Sequence, residues 1–229
     1  MIVVTKPSTK KTSLAAAAYE TISRNIISLA YEPGEHLEEK QLMETLAIGR
    51  TPIREALLRL TSEKMVEALP NKGIMVKEIT IQDTKAMFEA MKILELGIAD
   101  LAAGKNLDTL VQEMAAANQK VEKAIAAMSV LDIVEANHQF HMLFARCSRN
   151  EYLIQGIAHV RNQAKRLSYL SYANMIESEK PLKAHYDAVV NEHHTMIDCL
   201  TARKTEQLKN TIAGHIKSFQ QRIVGFMTS

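Results

Sequence analysis

Two sets of residues in this 229-residue chain have the types and spacing to do chemistry. The first is Arg50-Thr51-Pro52-Ile53-Arg54, where two arginines stand four apart and so project from one side of a helix. An arginine's planar fork matches both phosphate oxygens and the major-groove edge of guanine, and that groove admits a helix. The same spacing suits a plain solvated face, so the pair gains meaning only from its surroundings. The second set is Asn137 and His141, four apart on one helix, with His194 and His215 on two later helices. Neutral imidazoles and a side-chain oxygen that converge in a helical core suit Zn²⁺ or a similar transition metal. A single histidine on a helix is more often a core or surface residue, so this reading depends on convergence.

The elements that have to position the arginines lie between Leu37 and Leu60. Leu42 and Leu46 sit four apart, Ile53, Leu57 and Leu60 fall at i, i+4 and i+7, and Gly49 marks a joint between two short helices. That is helix-turn-helix grammar. Thr51 can cap the second helix, with Pro52 at its first position, where no amide hydrogen is needed. Val66–Leu69 and Ile74–Lys77 read as strands around Pro70-Asn71-Lys72-Gly73, a hairpin in which Gly73 can take positive φ. A hairpin directly after such a helix is a wing. Asn71, Lys72 and the bare backbone of Gly73 suit a minor groove or a phosphate. Upstream, Ser13 caps a helix to about Leu29 that is stopped by Pro33-Gly34, and residues 1–12 read as a basic arm.

The elements that have to position the histidines begin at Thr80. No proline occurs between Pro70 and Pro181, and alanine, leucine, methionine, lysine and glutamate recur at helical spacing. Helices are predicted at about 80–104, 106–128, 129–147 and 150–173, then, after a break near Glu177, at 179–202 and 205–226. Six helices with short connections make an all-α antiparallel bundle. The fold class is therefore mainly α: an N-terminal winged helix-turn-helix over 12–78 and a C-terminal helical domain over 79–229.

Composition is neutral on nucleic acid. The net charge is +2, and up to Glu78 eleven Lys and Arg stand against ten Asp and Glu, so a DNA reading rests on placement. Cys147 and Cys199 are too few for a disulfide scaffold or a paired-cysteine metal motif. No run of about 18 apolar residues spans a membrane, and the expected location is the cytoplasm.

The ordered run Leu-Glu-Glu-Lys-Gln-Leu, Gly-Arg-Thr-Pro-Ile-Arg-Glu-Ala-Leu and Leu-Pro-Asn-Lys-Gly-Ile resembles the winged helix-turn-helix of GntR-family bacterial transcription regulators. The resemblance implies DNA contacts by Lys40, Arg50, Thr51, Arg54 and the wing glycine Gly73. Gly49 stands where serine is common, and glycine is an acceptable cap. Asn-His-Gln-Phe-His at 137–141, His194 and His215 are similar to the ligand-bearing motifs of the FadR-type (FCD) effector domain. There an acidic residue and three histidines hold a divalent metal, zinc in the simplest reading, beside a small organic acid. Carry-over assigns Asn137, His141, His194 and His215, with Asn137 replacing the usual aspartate. Met91 stands where an arginine often clamps the acid, which leaves either a less acidic effector or a clamp by Arg161 or Arg166 on the fourth bundle helix. His138, His159, His185 and His193 are left structural. The expectation is a non-enzymatic, ligand-responsive repressor acting as a homodimer on operator DNA. The competing readings are a histidine-ligated metallohydrolase, with Glu192 as the only nearby carboxylate, and a helical interaction protein.

Overall fold

The structure, a computed structural model, describes residues 13–69, 73–173 and 182–228. The expected basic arm over 1–12, the wing-tip residues Asn71 and Lys72, and the predicted break near Glu177 lie outside the described residues. The chain divides into two compact units, Met1–Glu78 and Ile79–Ser229.

The first unit runs α1 (Leu14–Ile27), β1 (His36–Leu37), α2 (Glu39–Leu46), α3 (Arg50–Ser62), β2 (Val66–Leu69) and β3 (Gly73–Val76). Ser13 caps α1 by accepting from the Ala16 amide at 3.1 Å. The helix ends two residues short of the predicted Leu29, which takes φ +60° and breaks the α pattern. Between α2 and α3, Ala47 adopts a left-handed conformation. The cap of α3 is Gly49, with extended backbone, not Thr51. Pro52 is consequently third in the helix, still within the first turn, where backbone amides have no carbonyl to meet. Ile53, Leu57 and Leu60 turn inward as predicted, and α1 contributes Ile22 and Ile26 to the same core.

The three strands form a sheet of order β1-β3-β2, all antiparallel, with Leu69 opposite Gly73 and Val66 opposite Val76. Strand β1 was not foreseen, because two residues are too short to show a period-2 pattern. Gly73 has φ +80° with no atom within 4 Å of where a Cβ would stand. The constraint is therefore on backbone angle and not on space. Gly73→Ala is expected to cost about 1–2 kcal/mol of stability in urea unfolding, and Gly73→Asn less.

The second unit contains α4 (Ile81–Ala102), α5 (Asp108–Ala126), α6 (Val130–Arg146), α7 (Glu151–Tyr172), α8 (Leu182–Thr201) and α9 (Thr205–Thr228). Thr80 caps α4 through the Asp83 amide, and Asn150 caps α7 through those of Tyr152 and Leu153. Glycine is scarce here, so several helices stop at other residues in the left-handed region: Met128, Arg149 and Arg203. Helix α6 packs on α5 and α7, α8 packs on α5 and α9, and α4 packs on α7 and α9. Phe88, Met91, Met114, Ile133, Phe140 and Phe144 fill the interior. Cys147 and Cys199 are buried free thiols, and burial pushes the Cys147 thiol up to about 12. Among the described residues, no helix is long and apolar enough to cross a membrane.

Candidate functional site

The solvent-exposed flank of α3 beside its buried stripe carries the two predicted arginines. Their side chains are 67% (Arg50) and 57% (Arg54) exposed, so neither is packed inward. Thr51 is exposed beside them, and Lys40 projects from α2 with its side chain 87% exposed. Glu39 on α2 organises the pair. Its carboxylate accepts from Arg54 Nε at 3.0 Å and lies 3.5 Å from Arg50 Nε. A carboxylate held at the Nε side leaves each guanidinium's far edge for a partner carrying acceptors. Arg59 one turn later is used otherwise: it stacks 3.6 Å over the Tyr19 ring and pairs with Glu63, which also accepts from Tyr19 Oη, locking α1 to α3.

In the second unit, the histidines that converge are His141, His193 and His215. Each offers a nitrogen within 4.8 Å of the others, and the ring centroids form a near-equilateral triangle with sides of 5.1, 5.2 and 5.4 Å. His194, assigned on the sequence, does not join them. It is half exposed and pairs with Glu122 at 3.1 Å. The reason is rotation: consecutive residues on a helix point about 100° apart. Tyr186, Val189, His193, Met196, Ile197 and Leu200 form the buried stripe of α8, whereas His194 lies on the side of Asn191 and Asp198. Counting that stripe from Tyr186 would have selected His193. Phe140 stacks on the His193 ring at 3.8 Å and holds it in place.

Hydrogen-bond partners determine what each imidazole presents. Asn118 donates to the Val190 carbonyl, so its oxygen accepts from His193 Nδ1–H at 2.9 Å and leaves Nε2 with a lone pair. Glu192 accepts from His215 Nδ1–H at 2.6 Å, with the same result for that ring. His141 differs. Arg161 Nη2, which can only donate, lies 2.8 Å from His141 Nδ1, so the ring's proton sits on Nε2. The Nε2 atoms of His141 and His193 and the Oδ1 of Asn137 are buried with no partner. Buried polar atoms without partners are rare and costly, and three of them belong to residues of this cluster and the neighbouring Asn137.

Arg161 is buried between α4 and the histidines, where both its Nε and Nη2 donate to Glu95 Oε1. Glu95 is 1% exposed, its second oxygen is also without a partner, and the sequence reading missed it. A signal was present: Glu95 falls on the stripe of Phe88, Met91, Ile98 and Ala102, and a charge there demands a buried partner. Met91, one turn before it, is wholly buried and offers no polar group. Arg166 is buried too, its pKa lowered to about 10 by burial, and it does not line the cavity beside the histidines. Asn137, Arg161, His185, Glu192 and His215 do line it. That cavity measures about 30 Å³, enough for an ion or a water, whereas an organic acid needs side chains to move.

Burial, aided by the Arg161 charge, holds His141 and His193 well below the ordinary histidine value. Burial likewise lowers His138 to about 3 and His185 to about 4. Below about pH 6.5 the unfolded chain protonates these four groups while the fold keeps them neutral, so the native state loses stability as pH falls toward the folded values, and above about pH 6.5 they have no further effect. Metal-free protein is expected to keep a nearly constant Tm between about pH 7 and pH 8 and to weaken below about pH 6.5. Each histidine contributes a slope of up to about 1.4 kcal/mol per pH unit, read by thermal melts in chelator.

Comparisons with known proteins bear on the fold and family of both units. Residues 14–76 match the bacterial regulatory proteins of the gntR family, and residues 86–218 match the FCD domain. The chain is 25% identical over 202 residues to the HTH-type transcriptional repressor GlaR of Escherichia coli K12, covering 86% of this chain and 90% of that one. It is 26% identical over 199 residues to the Nta operon transcriptional regulator of Aminobacter aminovorans, covering 85% and 88%. Among solved structures, E. coli McbR/YncC superposes with a TM-score of 0.77 at 20% identity, covering 93% of this chain and 98% of that one. Lar of Listeria monocytogenes superposes at 0.64 and 19% identity, covering 94% and 99%. The N-terminal unit with its arginine-bearing α3 is a GntR winged helix-turn-helix, the histidine-bearing unit is an FCD domain, and the chain belongs to the GntR family of bacterial transcription regulators.

Proposed function

We propose that this regulator is a cytoplasmic, homodimeric repressor whose α3 reads operator DNA and whose helical domain binds a divalent metal, zinc in the first instance, together with a small organic acid. The observation that supports the sensing half is the buried triangle of His141, His193 and His215, in which the Nε2 atoms of His141 and His193 have no partner. Three neutral imidazoles are a zinc-type donor set, and Asn118 and Glu192 orient two of them as outer partners do in such sites. Asn137 Oδ1 is the fourth candidate donor. Such a metal would supply a positive centre able to hold an acid's carboxylate. Because Asn137 brings no charge where aspartate would, a bound carboxylate offsets the dication, so metal and acid bind cooperatively. Calorimetry showing zinc affinity unchanged across a panel of organic acids would overturn that coupling.

For the DNA half, we assign Arg50, Thr51 and Arg54 to base edges and phosphates in the major groove, a reading supported by the exposure of both arginines, and Lys40, Asn71, Lys72 and Gly73 to the backbone or minor groove. Homodimerisation follows from the small surface that one module buries and from the advantage of paired half-sites. The test is selection of a binding site from random DNA with the full chain, then affinity across a salt series. A log-log slope near −0.9 per phosphate contacted is expected, and a flat response would leave only the interaction-protein reading. Mass spectrometry under native conditions reads subunit number, metal and retained acid together. The hydrolase reading finds no support in Glu192, whose carboxylate is engaged in positioning His215. Ester or amide turnover abolished by His141→Ala would restore it.

A further inference from the structure

We propose that Arg161 is a latch on the histidine cluster: it holds His141 in the tautomer that cannot ligate, and its release hands His141 Nδ1 to Glu95, whose carboxylate then backs the ring from behind. The proposal rests on the metal reading above and adds how loading of that site is controlled.

Three observations carry it. His193 and His215 already present lone pairs at Nε2, because Asn118 and Glu192 accept their Nδ1 protons. His141 alone is reversed, because Arg161 Nη2 donates to its Nδ1 at 2.8 Å and forces the proton onto Nε2. An imidazole nitrogen that carries its proton has no lone pair to give, so the cluster as folded offers two donors, not three. Third, Glu95 is poised to replace the arginine. Its Oε1 lies 3.6 Å from His141 Nδ1, and its Oε2 is buried without any partner. Both arginine contacts fall on Oε1 alone, so the pair lacks the two-oxygen fork that makes such bridges strong.

The exchange is balanced in protons. As His141 commits its Nε2 lone pair to a ligand, that nitrogen gives up its proton and Nδ1 takes one up, so the ring stays neutral. Nδ1–H then donates to Glu95, the carboxylate–histidine arrangement common behind metal ligands. A guanidinium beside a dication is repelled in a buried, low-dielectric setting, which drives the same release. Arg161 lines the small cavity with Asn137, Glu192 and His215, so its departure from Glu95 also changes the space and charge available there.

The test uses the full chain and zinc alone as probe. In metal-free protein with ¹⁵N-labelled histidine, His141 is expected to be protonated at Nε2 and His193 and His215 at Nδ1. One equivalent of zinc should move the His141 proton to Nδ1. In a competitive chelator titration, Arg161→Gln should bind zinc about tenfold or more tightly and Glu95→Gln about tenfold or more weakly. His141 protonated at Nδ1 before zinc is added, or a folded Arg161→Gln protein with unchanged or weaker affinity, overturns the latch while leaving the metal site standing. Zinc binding by neither the native chain nor Arg161→Gln removes the metal reading and the latch with it. If Arg161→Gln does not fold, the nitrogen spectra of the native chain decide alone.

Discussion

Arg54→Ala is expected to weaken binding to the selected operator about 10–100-fold, the loss associated with one good bidentate base contact, and to flatten the preference for that sequence over others. Lys40→Ala should instead weaken all sequences alike and reduce the salt slope by about one. The distinction follows from placement. Arg54 stands on the outward face of α3 with Ile53 and Leu57 buried behind it, so the helix cannot roll without exposing its core. Lys40 is on α2, almost wholly exposed, and stands 4.0 Å from the Glu44 carboxylate. A flexible ammonium there neutralises a phosphate without selecting a base. Glu39 sharpens the contrast, because it holds Arg54 Nε at 3.0 Å and so orders that guanidinium before any DNA arrives. The measurement is a pair of titrations, selected operator against scrambled duplex, at two or more salt concentrations. A uniform loss for Arg54→Ala across both duplexes would reduce it to a phosphate contact.

The second large effect is expected from adjacent residues. His193→Ala should lower zinc affinity at least 100-fold, whereas His194→Ala should leave it within about twofold. His193 is fully buried, stacked on Phe140 and oriented by Asn118, while His194 is half exposed and pairs with Glu122 across the surface. Because removing a buried ring leaves a cavity beside Phe140, the metal-free melting temperature of His193→Ala will also fall. Asn118→Ala offers a check that keeps all three imidazoles. Deprived of its acceptor, His193 is no longer held with Nε2 as the lone-pair nitrogen, and affinity should fall about 10–100-fold. Equal zinc affinity in the His193→Ala and native chains, with both folded, would dismiss the triangle as a metal site.

Much of this architecture is legible in the residue order because it is local. Amphipathic spacing, Ser13 as a cap and Thr80 and Asn150 as helix starts are decided within a few residues of each other, and each predicted element among the described residues appears within a few residues of its expected bounds, whereas the two-residue β1 does not show in the sequence. The same holds for Arg50 and Arg54, whose outward direction follows from Ile53, Leu57 and Leu60 turning in. The motif resemblance assigned His194 where His193 enters the interior, and the chain order did not reveal which partners meet Glu95. The first was decidable in principle, by following the apolar stripe of α8 rather than a motif. The second was not: Glu95 and Arg161 lie 66 residues apart on α4 and α7, and only the packing of those helices brings them together. Periodicity tells which face of a helix is buried. The tertiary structure decides what that face meets, and here that contact sets the tautomer of His141, because a hydrogen bond is made by two groups and the order of residues along one helix specifies only one of them.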